Sequence, residues 1–137
     1  MKTLKTLVKL QKKQLDDLLL QIAAKVAKKD AIEEKMKSMH DEAEEEKQRY
    51  QGSTEYAFML SQYLDYTTKQ EKLYTKEMTE LDREIDVMRD DLFNQFGELK
   101  KLEITLERRI QAEKLAASKA EDKALDEMTV LRYKGEW

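Results

Sequence analysis

The chain has 137 residues, of which 40% are charged and 40% hydrophobic, with a formal net charge of −3, no proline, no cysteine and three glycines. So few turn-forming residues leave room for few turns and long segments, and the wealth of Ala, Glu, Lys, Leu and Arg points to long helices or a coiled coil. The same composition excludes disulfides and thiolate metal sites, a bilayer-spanning run of roughly 20 apolar residues, and the positive surplus that general nucleic-acid binding requires.

The opening Met1-Lys2-Thr3-Leu4-Lys5 lacks the apolar core of a secretory signal, so a cytoplasmic chain without membrane insertion is expected. A first helix is predicted over about residues 2–50. Its stripe steps by threes and fours through Leu4, Val8, Gln11, Leu15, Leu18, Ile22, Lys25, Lys29, Ile32, Met36, Met39, Ala43, Glu46 and Tyr50. Gln11, Lys25, Lys29 and Glu46 interrupt it. Such interruptions fix register at a cost in stability, or mark where helices part or a partner inserts. Residues 1–29 hold eight lysines against Asp16 and Asp17, whereas residues 30–46 are strongly acidic. The basic block is either a solvated helix face or a tip that docks into an acidic partner.

A turn is expected at 51–54, with Gly52 in the left-handed position and Ser53 or Thr54 capping the next helix. The second helix is predicted over about 54–132, roughly 115 Å long, with a frayed tail over 133–137 that ends in Trp137. Gly97 falls inside it, and its flanking apolar contacts should override its poor propensity. The stripe runs through Tyr56, Met59, Tyr63, Tyr66, Gln70 and Leu73, then Leu81, Ile85, Met88, Leu92, Phe96, Leu99, Leu102, Leu106 and Ile110. It goes on through Glu113, Ala117, Ala120, Ala124, Met128 and Leu131.

One tight turn forces the helices antiparallel. The fold class is therefore all-α: a single-domain, two-helix antiparallel coiled-coil hairpin. Pairing residue i with about 105 − i leaves residues from about 105 to 132 as an overhanging C-terminal helix. A lone helix with an apolar stripe is unsatisfied in water, so the overhang must bind a partner, self-associate or fold back.

No catalytic or cofactor constellation emerges. His40 is the one histidine, and Glu42, Glu44, Glu45 and Glu46 are splayed around their helix instead of converging on a metal. No Gly-rich phosphate loop exists, and a two-helix rod offers no concave pocket for a small molecule. Tyr56, Phe58, Tyr63, Tyr66 and Tyr74 cluster early in the second helix. They serve as core, or, where they leave the stripe as Phe58 does, as an exposed binding spot.

The chain resembles the FliJ family of flagellar type III export proteins. The resemblance rests on Leu4-Lys5-Thr6-Leu7, on the aromatic and leucine cluster early in the second helix, and on the stretch from Leu99 to Arg132. Within that stretch, Lys101-Leu102-Glu103-Ile104-Thr105-Leu106-Glu107-Arg108-Arg109 is similar to the family's Glu-Arg-rich segment. Glu121-Asp122-Lys123-Ala124-Leu125-Asp126-Glu127 is similar to its acidic C-terminal motif. The resemblance implies a non-enzymatic cytoplasmic stalk, peripherally associated with a membrane-embedded export apparatus and without cofactor. Both chain ends would enter the hexameric export ATPase through Lys2, Lys5, Lys9, Arg108, Arg109, Leu125 and Asp126. Phe58, Tyr63 and Leu64 would meet the cytoplasmic domain of the export gate, and other export chaperones would be further partners. The related stalk proteins of virulence injectisomes share the architecture. A monomer in isolation fits this reading, and a tight dimer would fit the alternative of a coiled-coil scaffold or dimerising adaptor. A prefoldin-like chaperone would need strand signals mid-chain, and a membrane-surface helix would need a free apolar stripe in the first segment.

Overall fold

Long unbranched and small side chains lose little freedom in a helix, and nothing in this chain breaks one except at the single turn. In the computed structural model, which describes residues 2–50, 52 and 54–135, two helices account for nearly all of them. α1 spans Lys2–Arg49 and α2 spans Thr54–Gly135. No strand occurs among the described residues, which removes the prefoldin-like reading. α2 passes through Gly97 without a break, and it extends three residues past the expected end at 132.

At the turn, Tyr50 N–H donates to the Lys47 carbonyl at 3.2 Å, and Gly52 has φ +81°. Gln51, Ser53 and Trp137, and with them the expected Ser53 cap and the end of the expected tail, lie outside the described residues. No atom lies within 4 Å of a Cβ built on Gly52. The glycine is thus required by its backbone angle and not by space. Gly52→Val is expected to destabilise the hairpin by about 1–2 kcal/mol, measured as a lower urea midpoint at unchanged slope. An unchanged midpoint would show that the turn readily adopts another geometry.

Internal contacts divide the chain into two units, Asp16–Phe93 and Met1–Leu15 with Asn94–Trp137. In the unit built on Asp16–Phe93, Leu18, Ile22, Ile32 and Ala43 of α1 and Leu81 and Ile85 of α2 are buried. In the other, Leu4, Val8 and Leu99 are buried. These positions lie on the expected stripes.

Each polar interruption of the α1 stripe meets a group on α2. Gln11 Nε2 donates to the Gln95 carbonyl at 3.3 Å, and Lys25 Nζ to Glu84 at 2.8 Å. Lys29 Nζ sits 2.6 Å from Asp82, and Tyr56 Oη donates to the Glu46 carboxylate at 2.7 Å. The hydrogen bond to Asp82 raises the Lys29 pKa above its ordinary value, and the one to Glu46 raises that of Tyr56. The helices stay paired at all four positions, so these residues set register. With the Lys25 and Glu84 side chains 37% and 34% exposed, that pair is worth about 0–1 kcal/mol.

The α2 stripe before Leu81 matches the sequence expectation at Tyr56, Tyr63 and Gln70 and differs at the positions between them. Met59, Tyr66 and Leu73 are 65%, 59% and 60% exposed. The inward positions are Tyr56, Leu60, Tyr63, Thr67, Gln70, Tyr74 and Met78. Thr67 is buried because its hydroxyl donates to the Leu64 carbonyl at 2.9 Å, which satisfies it inside the helix pair. Further on, Gln95 and not Phe96 turns inward, and Phe96 carries the Lys100 ammonium 5.3 Å from its ring centre. Tyr50, expected on the α1 stripe, is exposed and stacks on Tyr56 at 6.1 Å.

Candidate partner-binding surfaces

The first surface belongs to the unit of Met1–Leu15 and Asn94–Trp137. Leu4 and Val8 fasten the start of α1 to α2. Lys2, Lys5 and Lys9 recur at helical spacing on a flank away from that seam, and all three are exposed. The residue numbers of cross-helix polar partners add to between 102 and 111, so the start of α1 lies beside the region just before Arg108 and Arg109. Both arginines are exposed. The lysines and arginines therefore share one end of the unit.

Partial cover of α2 reaches Ile110, and every residue from Gln111 to Lys134 is exposed. The free segment thus begins about six residues later than expected. Leu125 and Asp126 lie on it, with Leu125 56% exposed. They stand about 24 Å along the helix from Arg109, so they form a patch separate from the basic cluster. Met128, Leu131 and Tyr133, at 66%, 69% and 62% exposure, add apolar area to that patch.

The second surface lies within Asp16–Phe93, early in α2. Phe58 is 65% exposed, whereas Tyr63 and Leu64 are half-buried. Burial is the main cause that raises the Tyr63 pKa, with Glu42 and Glu46 adding to it. Met59, Tyr66 and Leu73 stand seven residues apart and form an exposed apolar line beside Phe58. The four-three step from Tyr63 to Thr67 and Gln70, with Tyr74 next, was the signal for this line. It was masked because the polar Thr67 takes the inward place that Tyr66 looked fitted to fill.

Among the described residues, no three His, Asp or Glu side chains converge on a metal position. His40 Nε2 lies 3.6 Å from Glu71 across the two helices. Beside it runs an open groove lined by Met36, Thr75, Met78 and Asp82. No described helix is long and apolar enough to cross a membrane.

A family model described as the flagellar FliJ protein matches residues 1–136. No significant match appears among curated proteins or solved structures.

Proposed function

This chain belongs to the FliJ family, whose members are flagellar export components, and on that premise we propose that it is the stalk and escort of the export ATPase. Its basic end and projecting helix enter the central hole of the hexameric ATPase. The exposed line of α2 beside the turn meets the cytoplasmic domain of the export gate, and other export chaperones dock transiently. The protein is non-enzymatic in this role. It works in the cytoplasm, held at the membrane through the apparatus it serves.

One observation carries the reading. From Gln111 to Lys134, α2 exposes an apolar stripe that its own chain leaves uncovered. A helix of this kind gains stability by burial in a larger partner. Lys2, Lys5 and Lys9 beside its base supply long-range attraction to an acidic rim. For the gate, Phe58 with Met59 and Tyr66 offers more accessible apolar surface than Tyr63 or Leu64.

A pull-down of the export ATPase by the full chain and by a chain lacking residues 105–137 tests this. Binding is expected to fall to background in the shortened chain, with helicity per residue retained. Undiminished capture would refute the assignment of the tip.

A further inference from the structure

Among the described residues, none of the charged side chains of α2 from Glu107 to Lys134 forms an ion pair, Glu107, Arg109, Lys114, Glu121, Glu127 and Arg132 among them. Immediately before them, Lys101 pairs with Glu98 at 3.3 Å and Lys100 with Glu103 at 3.5 Å. With about 3.6 residues per turn, these charges fall along the two edges of the stripe that runs from Ile110 through the alanines to Leu131. Glu107, Lys114, Glu121 and Arg132 line one edge. Arg109 and Glu127 line the other.

That stripe is complementary to its own reverse. Let a two-fold axis pass between Ser118 and Lys119. Ala117 then faces Ala120 of a second copy, and Ile110 falls opposite Glu127 with Met128 alongside. Glu113, the charged member of the stripe, faces Ala124 with Lys123 alongside. On the edges, within two residues of the direct counterpart in each case, Lys114 comes near Glu121, Arg109 near Glu127, and Glu107 near Arg132. Symmetry repeats every one of these contacts. In a parallel in-register pair, Arg109 would instead meet Lys114, a repulsion repeated twice. The alanines at the centre let the two backbones approach closely, while larger residues close each end.

We propose that the projecting end of α2 pairs antiparallel with a second copy of this chain. The pairing is weak, because its centre is alanine and its ion pairs are exposed. It covers the tip while no larger partner holds it, so ATPase and second copy compete for one surface. The pairing itself goes beyond the stalk reading, whereas its role as a guard of the tip rests on that reading.

Sedimentation velocity of the full chain over a range from low to high micromolar concentration tests the proposal. A monomer–dimer equilibrium is expected. Lys114→Glu should weaken it about tenfold, and Glu121→Lys should do the same. The two changes together should restore the dimer, which loss of folding or a nonspecific charge effect would not do. Circular dichroism of each variant confirms that the helices persist. A monomer at every concentration, or a double variant no better than the singles, overturns the proposal. A monomeric chain that still binds the ATPase overturns the pairing alone, whereas a dimer without ATPase affinity upholds the pairing and ends the stalk reading.

Discussion

Ile85→Ala is expected to destabilise the protein by about 2–3 kcal/mol. Ile85 is 4% exposed, as are Ile32 on α1 and Leu81 one turn before it. A two-helix protein has no second layer of core. Each buried side chain therefore holds a large share of the apolar area that opposes chain entropy. The same thinness moderates the loss. None of the described side chains falls below 2% exposure, so the space left by truncation opens to water and does not persist as a dry cavity. That places the effect toward the low end of the range for large-to-small changes in deep cores. Phe93→Ala is the control. Phe93 is larger but 77% exposed, and its truncation should change stability by no more than about 0.5 kcal/mol. Urea unfolding followed by circular dichroism measures both. Equal losses for the two variants would mean that the inward face of α2 has been assigned wrongly.

That face is also where sequence and structure part. Two long antiparallel helices with one reversal at Gly52 were legible because proline is absent and glycine rare. The α1 stripe was legible through its polar members, since Lys25 and Lys29 keep the three-four step even though they carry charge. The start of α2 was legible only in part: Tyr56, Tyr63 and Gln70 turn inward as expected, whereas Met59, Tyr66 and Leu73 do not. Met59, Tyr66 and Leu73 form an apolar series of period seven, as Tyr63, Thr67, Gln70 and Tyr74 form a mixed one four residues out of phase. Hydrophobicity selects Met59, Tyr66 and Leu73, whereas packing turns their neighbours Leu60, Thr67 and Tyr74 inward. A threonine or glutamine can turn inward when its polar group finds a partner, as Thr67 finds the Leu64 carbonyl. An aromatic left outside loses only part of its burial. Sequence alone ranks residues by transfer preference and cannot see that local bond.

The partner surfaces divide along the same line. A free C-terminal stretch of α2 followed from helix lengths, because α1 has 48 residues and α2 has 82. Its starting point did not follow, since it depends on the offset between the helices. In the unit that holds the free segment, that offset is marked by the bond from Gln11 to the Gln95 carbonyl. The grouping of tip residues was likewise beyond sequence. Arg108, Arg109, Leu125 and Asp126 belong to one segment in sequence terms, yet several helical turns separate the arginines from the other two.

Changing Lys2, Lys5 and Lys9 together to Glu is expected to weaken binding to the export ATPase about a hundredfold at low salt, chiefly through slower association. These side chains point away from the seam, while Leu4 and Val8 hold the helix start in place, so the substitution should leave the fold intact. Three reversals move the local charge by six units at the end of the protein that would approach the ring first. Exposed charges act over a Debye length of roughly 8 Å at physiological ionic strength. Raising the salt should therefore weaken the unmodified chain toward the level of the variant, and should affect the variant much less. Lys69, Lys72 and Lys76 changed to Glu make the matched control, because they carry the same charge change on the unit of Asp16–Phe93. Surface plasmon resonance at several salt concentrations separates association from dissociation. If both triple variants bind alike, the N-terminal lysines are a solvated face, and the projecting helix alone must account for recognition by the ring.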